Sequence, residues 1–408
     1  MSTSNLDSAD LKAVASGGLI REDVMNKIFD ISRIPLPLTD MIGTESSSNA
    51  YKEWTVDALQ QPDVGNSVFD GSDPTTDDTA TGGRLGNHHQ IAQKTVRVSF
   101  RADVSNVIGR AKELAYQLSR RQQELRRDVE SILLKNQGSY ADDGGTTYKG
   151  TVGGLPSWIK TNNASGYGYG SGGAVGGFNT STNRTAARTP STSARALTET
   201  FVRDAVQDVY LQGGDPSIFM ATPMVVRKLS EYMFTSSARV ATLMSDTEGA
   251  KQAAVAMGSV NVFVTDFGTL KMVPNRLQPF EPIGSELTTS GMTAGVVYVV
   301  STVGSSTLAQ WQTAGWSGTK LPKVGQWFKA AATGIVGGGG CKLATSSAFV
   351  IDPEYLAVSY LKGYRTEELA KTGLAENRQM SVDFTLIVNN EKAHALIGDI
   401  DHTAAVTA

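Results

Sequence analysis

The sequence predicts an α+β protein with a small all-β insertion. Three observations predict it. One long stripe of apolar residues recurs at spacings of three and four over 104–136. Short helical and strand patterns then alternate between 197 and 273. Finally, residues 286–347 change character: they hold one Glu, four Lys and no Asp or Arg, with three of the chain's five tryptophans. Gly, Ser, Thr and Val dominate there around the strand pattern Val296–Val300.

The elements follow in order. Arg21–Ile31 reads as a short helix with Val24, Ile28 and Ile31 on one face. It ends at Ile34-Pro35-Leu36-Pro37-Leu38, because proline lacks an N–H and restricts the residue before it. A short helix followed by an extended proline-rich stretch predicts an arm, not a core. Residues 50–62 and 91–101 both alternate apolar and polar, the first through Trp54, Val56 and Ala58, the second through Val96, Val98 and Phe100. The polar, Gly-rich stretch between them carries Asp63, Asp70, Asp73, Asp77 and Asp78 against Arg84. The two strands predict a long ribbon, which is marginal alone and needs a surface to lie on, possibly that of another subunit.

The stripe over 104–136 predicts one rod-like helix of roughly 45–50 Å. Leu114, Leu118, Leu125 and Val129 mark its buried face. Arg110, Arg120, Arg121, Arg126, Arg127 and Glu130 fall on the opposite one. From 138 to 177 there are 13 glycines in 40 residues, which predicts a flexible or partner-ordered loop around one apolar anchor, Gly154–Ile159. Thr198 is placed to cap a helix stopped by Gly213-Gly214. A strand over 217–221, a helix from Pro223 to Met233 and a hairpin turning at Asp266–Gly268 come next. After the insertion, 351–361 resumes the earlier alternating style, 381–388 reads as an amphipathic strand and Glu391–Ile397 as a final helix.

Composition narrows the function. The 37 basic and 40 acidic residues give a net charge of −3, which argues against gripping nucleic acid by its phosphates. No run of 18 apolar residues predicts a membrane span, and the polar N-terminus predicts no secretory signal. A lone cysteine, Cys341, excludes an internal disulfide and a multi-cysteine metal site. Gly168-x-Gly170-x-x-Gly173 matches a dinucleotide fingerprint in form but lacks the flanking strand and helix. His88-His89 are read as a solvated loop and Asp70–Asp78 as a plain acidic one, since neither has a metal-loop pattern. No catalytic, cofactor-binding or metal-binding residue is therefore assigned, and no enzyme is expected.

An arm, a ribbon, a rod and a mixed sub-domain are the parts of a tile that reaches onto its neighbours. In that context the sequence resembles tailed-phage major capsid proteins of the Hong Kong 97 fold, of a podovirus-like head-protein family. The resemblance rests on Ile34–Thr39, Tyr51–Asp57, Asn87–Ile91, Val96–Ser99, Gly109–Gln117, Glu124–Glu130, Val264–Gly268 and Leu369–Glu376, in that order and spacing. It implies an arm over 1–49, an extended loop over 50–101 and a peripheral domain with a spine helix over 102–195. It further implies an axial domain over 196–285, the inserted domain over 286–347, and a return to axial and peripheral domains over 348–408. The implied protein self-assembles as hexamers and pentamers into an icosahedral head around double-stranded DNA, without sequence specificity. Scaffold, portal and decoration proteins are its implied partners, the virion its place and the host cytoplasm its site of assembly. The candidate inter-subunit contacts are Trp54, Arg84, Arg120, Arg121, Arg126 and Arg127. The competing readings are an encapsulin-like nanocompartment shell and a tail-fibre or adhesin protein.

Overall fold

A computed structural model describes residues 35–404 except 72, 74–78, 80, 106, 108, 146, 236–261, 289 and 372, with no side-chain description for 232–235. The expected helix at 21–31 lies outside the described residues. The chain forms two units. One holds 94–124 and 366–380; the other holds 35–93, 125–365 and 381–408.

The proline-rich stretch is not extended as expected. Leu36–Ile42 folds into a turn, with Ile42 N–H donating to the Leu38 carbonyl at 3.2 Å, and Leu38 is fully buried. Strand β1 (Gly43–Ser46) follows, then β2 (Tyr51–Val56), β3 (Gly83–His88) and β4 (Gln90–Ser99). The ribbon is β2 with β3, in the register Trp54 to Leu85, and not β2 with the 91–101 strand. The sequence hid β3 because Gly83, Gly86, Asn87 and His88 read as loop. His89 turns the chain out of the ribbon, and β4 instead joins a four-stranded sheet in the order β1-β14-β15-β4, with β14 (Leu356–Glu368) and β15 (Ala375–Val388).

The rod is shorter than expected. A single-turn helix α1 (Phe100–Val104) is capped by Ser99, whose hydroxyl accepts from Ala102 N–H, and ends at Ser105. The chain then breaks at Gly109, which sits at φ +77°, before α2 (Glu113–Leu133). The Asp103 carboxylate accepts from Leu114 N–H at 2.9 Å and so caps the start of α2. Apolar spacing runs straight across this break, which is why the pattern reads as one helix. α2 alone is roughly 30 Å long. Its Leu125, Val129 and Leu133 are buried, whereas Leu114 and Leu118 are half-buried.

The glycine-rich tract is folded, contrary to expectation. It contains helix α3 (Leu155–Trp158) and leads to the pair β5 (Gly177–Asn179) and β6 (Arg184–Ala186). Its glycines allow close approach: a Cβ at Gly154 would lie 1.9 Å from the Lys135 carbonyl oxygen, and one at Gly153 2.2 Å from Thr185 Oγ1. A buried arginine and a half-buried one fix the tract. Arg188 donates to Asp399 at 2.9 Å and ion-pairs with Glu281, while Arg195 donates to the carbonyls of Tyr167 and Gly398 at 2.9 and 2.8 Å.

The elements after the glycine-rich tract match their patterns: α4 (Glu199–Leu211, capped by Thr198), β7 (Ile218–Ala221), α5 (Pro223–Thr235) and the hairpin β8 (Val262–Thr265) with β9 (Gly268–Pro274). Together with β10 (Glu281–Leu287), β11 (Val297–Thr302), β12 (Trp327–Lys329), β13 (Gly340–Ile351) and β16 (Ala395–Ile400) they build an eight-stranded sheet. Its path is β12-β11-β13-β7-β9-β8, and β10 and β16 also pair with β13. Val202, Val206 and Val209 of α4 pack on it with Phe219, Phe349-side neighbours Ala348 and Val350, and Ile397. The expected last helix is instead a short 3-10 turn at Glu391–Ala393 followed by β16, whose six residues are all buried.

The insertion is not all-β. It contains helix α6 (Leu308–Ala314), which starts in a capping box between Thr307 and Gln310. Trp311 of α6 is fully buried in a core with Tyr298, Val300, Phe328 and Ile335. Strand β13 runs through the expected boundary at 347. Its first half pairs with β10 and β11, its second with β7 and β16.

Candidate assembly surfaces

The root of the ribbon is anchored within the chain. Trp54 lies 5.3 Å from the buried Trp158, which stacks on Phe178 at 5.7 Å and 7°. The Tyr51 hydroxyl donates to the Asn183 carbonyl at 2.8 Å, and its ring packs on His88 over Gly86, where any Cβ would strike it. Arg84 pairs with Glu53 across the ribbon at 3.2 Å and is largely exposed. Trp54 and Arg84 therefore share one ribbon, with Trp54 turned onto the chain's own aromatic stack.

Beyond this root the loop over 57–82 holds six aspartates and no lysine or arginine. It also presents Leu59, Val64, Val68 and Phe69 at exposures of 100, 103, 83 and 89%. Apolar residues inside a polar stretch were the signal for them, though no periodicity marks them.

The four helix arginines fall in different surroundings. In the first unit, Arg121 pairs with Glu124 one turn on, and Arg120 is half-buried. A polar cleft of about 360 Å³ opens beside Arg121, lined by Arg97, Ser99, Glu113 and Gln117. In the second, Arg126 is exposed with its guanidinium 5.4 Å over the Tyr364 ring, and Arg127 is half-buried. Glu130, expected on this outer face, is fully buried. Its carboxylate accepts from Leu38 and Thr39 N–H at 2.8 and 2.9 Å and from Asn275 at 2.8 Å, tying the 36–42 turn to α2. Only tertiary structure could reveal that role.

The histidines are more enclosed than a solvated loop would leave them. Burial lowers His88 and His89, with Arg184 a further cause at His88. Burial pushes His394 down to about 3 and lowers His402. Burial, with the Glu286 carboxylate a further cause, also raises the Cys341 thiol to about 12. Among the described residues no group of three His, Cys, Asp or Glu is placed to hold a metal, and no helix is long and apolar enough to cross a membrane.

The chain belongs to the SU10 major capsid protein family, whose model matches residues 3–334 and 341–401. Membership bears out the resemblance to phage major capsid proteins, and the helices and strands described above bear out the α+β class. The major capsid protein of Escherichia phage Phieco32 is 36% identical over 112 residues, 28% of this chain, and the match spans about a third (32%) of that protein's length. Among solved structures, the capsid of a native GTA particle covers 96% of this chain and 98% of its own at 13% identity and a TM-score of 0.49. The capsid of cyanophage P-SCSP1u covers 96 and 98% at 11% identity and 0.48. The SrpI encapsulin of Synechococcus elongatus PCC 7942 covers 99 and 98% at 10% identity and 0.44.

Proposed function

We propose that this major capsid protein closes as hexamers and pentamers into the icosahedral head that encloses a phage's double-stranded DNA. The observation that carries the reading is the ribbon tip. Four large apolar residues stand uncovered on a loop whose root is locked, an arrangement that a second copy would complete. The net charge of −3 suits a shell that contains DNA without sequence-specific grip. In this reading residues 1–49 are the arm, 50–101 the extended loop, 102–195 the peripheral domain, 196–285 the axial domain and 286–347 the insertion, with 348–408 returning to both main domains. Arg84, Arg120, Arg121, Arg126 and Arg127 meet neighbours, whereas Trp54 holds the ribbon in place for them. Scaffold, portal and decoration proteins are its partners, assembly takes place in the host cytoplasm, and its role is structural, not catalytic.

Negative-stain microscopy of the purified protein, with and without scaffold, tests this. Closed shells are expected, and shells recovered from infected cells contain DNA. A protein that stays monomeric in every assembly condition overturns the reading. Closed shells holding a cargo enzyme in place of nucleic acid would move it to the nanocompartment class.

A further inference from the structure

The insertion presents the opposite of the ribbon tip. Residues 319–329 carry Lys320, Lys323 and Lys329 and no acidic residue. Among these lysines stand Leu321, Val324 and Trp327, at exposures of 48, 67 and 49%. Trp327 rests edge-on against Phe280 at 5.5 Å, so half its ring is held rigidly in the open. Trp327 opens β12, which pairs with β11 on one side and ends the path of the eight-stranded sheet. An end strand with apolar residues exposed is an invitation to pairing unless something covers it.

Both sets of apolar side chains stand exposed, although the far end of the β12 edge meets α6, where Ala331 N–H donates to the Ala314 carbonyl at 2.9 Å. The tip is acidic and apolar, and the β12 edge is basic and apolar. We infer that the β12 edge of one copy receives the ribbon tip of a second copy. Val68 and Phe69 lie on Val324 and Trp327, and Asp63, Asp70 and Asp73 face Lys320, Lys323 and Lys329. The apolar contact supplies burial and the opposed charges set approach and partner choice. One such contact is weak. A closed shell repeats it in every subunit, and multivalency makes it effective. The inference rests on the shell reading but goes beyond it, because it gives the insertion a task within the lattice.

The test is charge reversal with rescue, in the full chain. Lys320→Glu, Lys323→Glu and Lys329→Glu together are expected to lower particle yield at least tenfold at low salt, with unchanged circular dichroism. Adding Asp63→Lys, Asp70→Lys and Asp73→Lys to that variant should restore the yield. Normal yield from the lysine variant overturns the inference, as does a loss that the aspartate reversal fails to rescue. In both cases wild-type shells still form, so the shell reading survives separately. A second measurement needs no charge change. Phe69→Cys with Val324→Cys should give disulfide-linked multimers from assembled particles on non-reducing gels. Cys341 stays silent because it is buried. Particles of that double variant with no linked species overturn the inference, whereas linked dimers and higher ladders support it.

Discussion

At the scale of the residue, burial determines what the charged groups do. Arg188 has no exposed side-chain surface and serves two carboxylates, Glu281 and Asp399. Asp399 sits at φ +58°, and Ser191 donates to its carboxylate through both N–H and hydroxyl. Replacing Arg188 by Met leaves two carboxylates buried against each other, so about 3–5 kcal/mol of stability should be lost at neutral pH. Denaturant unfolding of the subunit measures it. A loss under ~1 kcal/mol would mean that water reaches the site. His394 gives the second prediction. Its Nδ1 accepts from Asp352 N–H at 3.4 Å, and its Nε2 has no partner among the described residues. Burial first, against a smaller backbone contribution, takes it from 6.5 to about 3. The folded chain therefore binds fewer protons than the unfolded one between those values. Its contribution is fully present above pH 6.5 and fades as pH falls toward 3, at about 1.4 kcal/mol per unit. The His394→Gln variant should show a correspondingly shallower loss of stability between pH 6.5 and 5. An unchanged slope would place the titration in other groups.

At the scale of the element, the insertion is fused to the sheet. Leu287 and Cys341 are register partners, so the strands β10 and β13 meet across the insertion's base. Cutting at 286 and 347 removes the first eight residues of β13 and with them the partners that the remaining part of β10 pairs with. That deletion should leave an insoluble chain. Replacing 288–340 by a two-residue turn keeps β10 against the rest of β13 and should fold. It will melt lower than the full chain, because Val297 and Val299 of β11 no longer pack with Phe280 and Met224. Thermal melts of the two deletions check this, and equal behaviour would refute the assignment of the base. Low charge and clustered tryptophans announced a separate core, and Trp311 does centre one. The strand that joins it to the body was hidden because 337–347 opens with four glycines. The same limit hid the ribbon's second strand. Local pattern reveals elements that bury one face, such as α4 with its Thr198 cap, but not glycines selected for close backbone approach, such as Gly153 and Gly154. Nor could spacing show that Gly109 and the Asp103 cap divide the rod. The tip's apolar residues and the arginines were readable as composition. Their surroundings were not, because Trp54's partner lies 104 residues away at Trp158.

At the scale of the whole molecule, fold and association draw on different residues of α2, which makes them separable by substitution. Val129 is fully buried with Leu125 and Leu133. A carboxylate there has no partner to offset its desolvation, so Val129→Asp should destroy folding and yield insoluble protein. Arg120 and Arg121 are half-buried, and Arg121 pairs with Glu124 a single turn on. Such a pair contributes only about 0.3–0.5 kcal/mol to the fold. Arg120→Ala with Arg121→Ala should therefore leave circular dichroism and melting nearly unchanged. Association is another matter, since every subunit of a shell repeats the missing charges and exposed charges chiefly govern encounter and partner choice. We expect the double variant to assemble less well than the parent at low ionic strength. Because the Debye length shortens from about 10 Å at 0.1 M salt to 3 Å at 1 M, the gap between variant and parent should close as salt is raised. Sedimentation of assembly reactions across that range gives both yields. If the variant matches the parent at every salt concentration while Val129→Asp still fails to fold, these two arginines face solvent in the finished head, and the assembly contacts of α2 must be sought at Arg126 and Arg127.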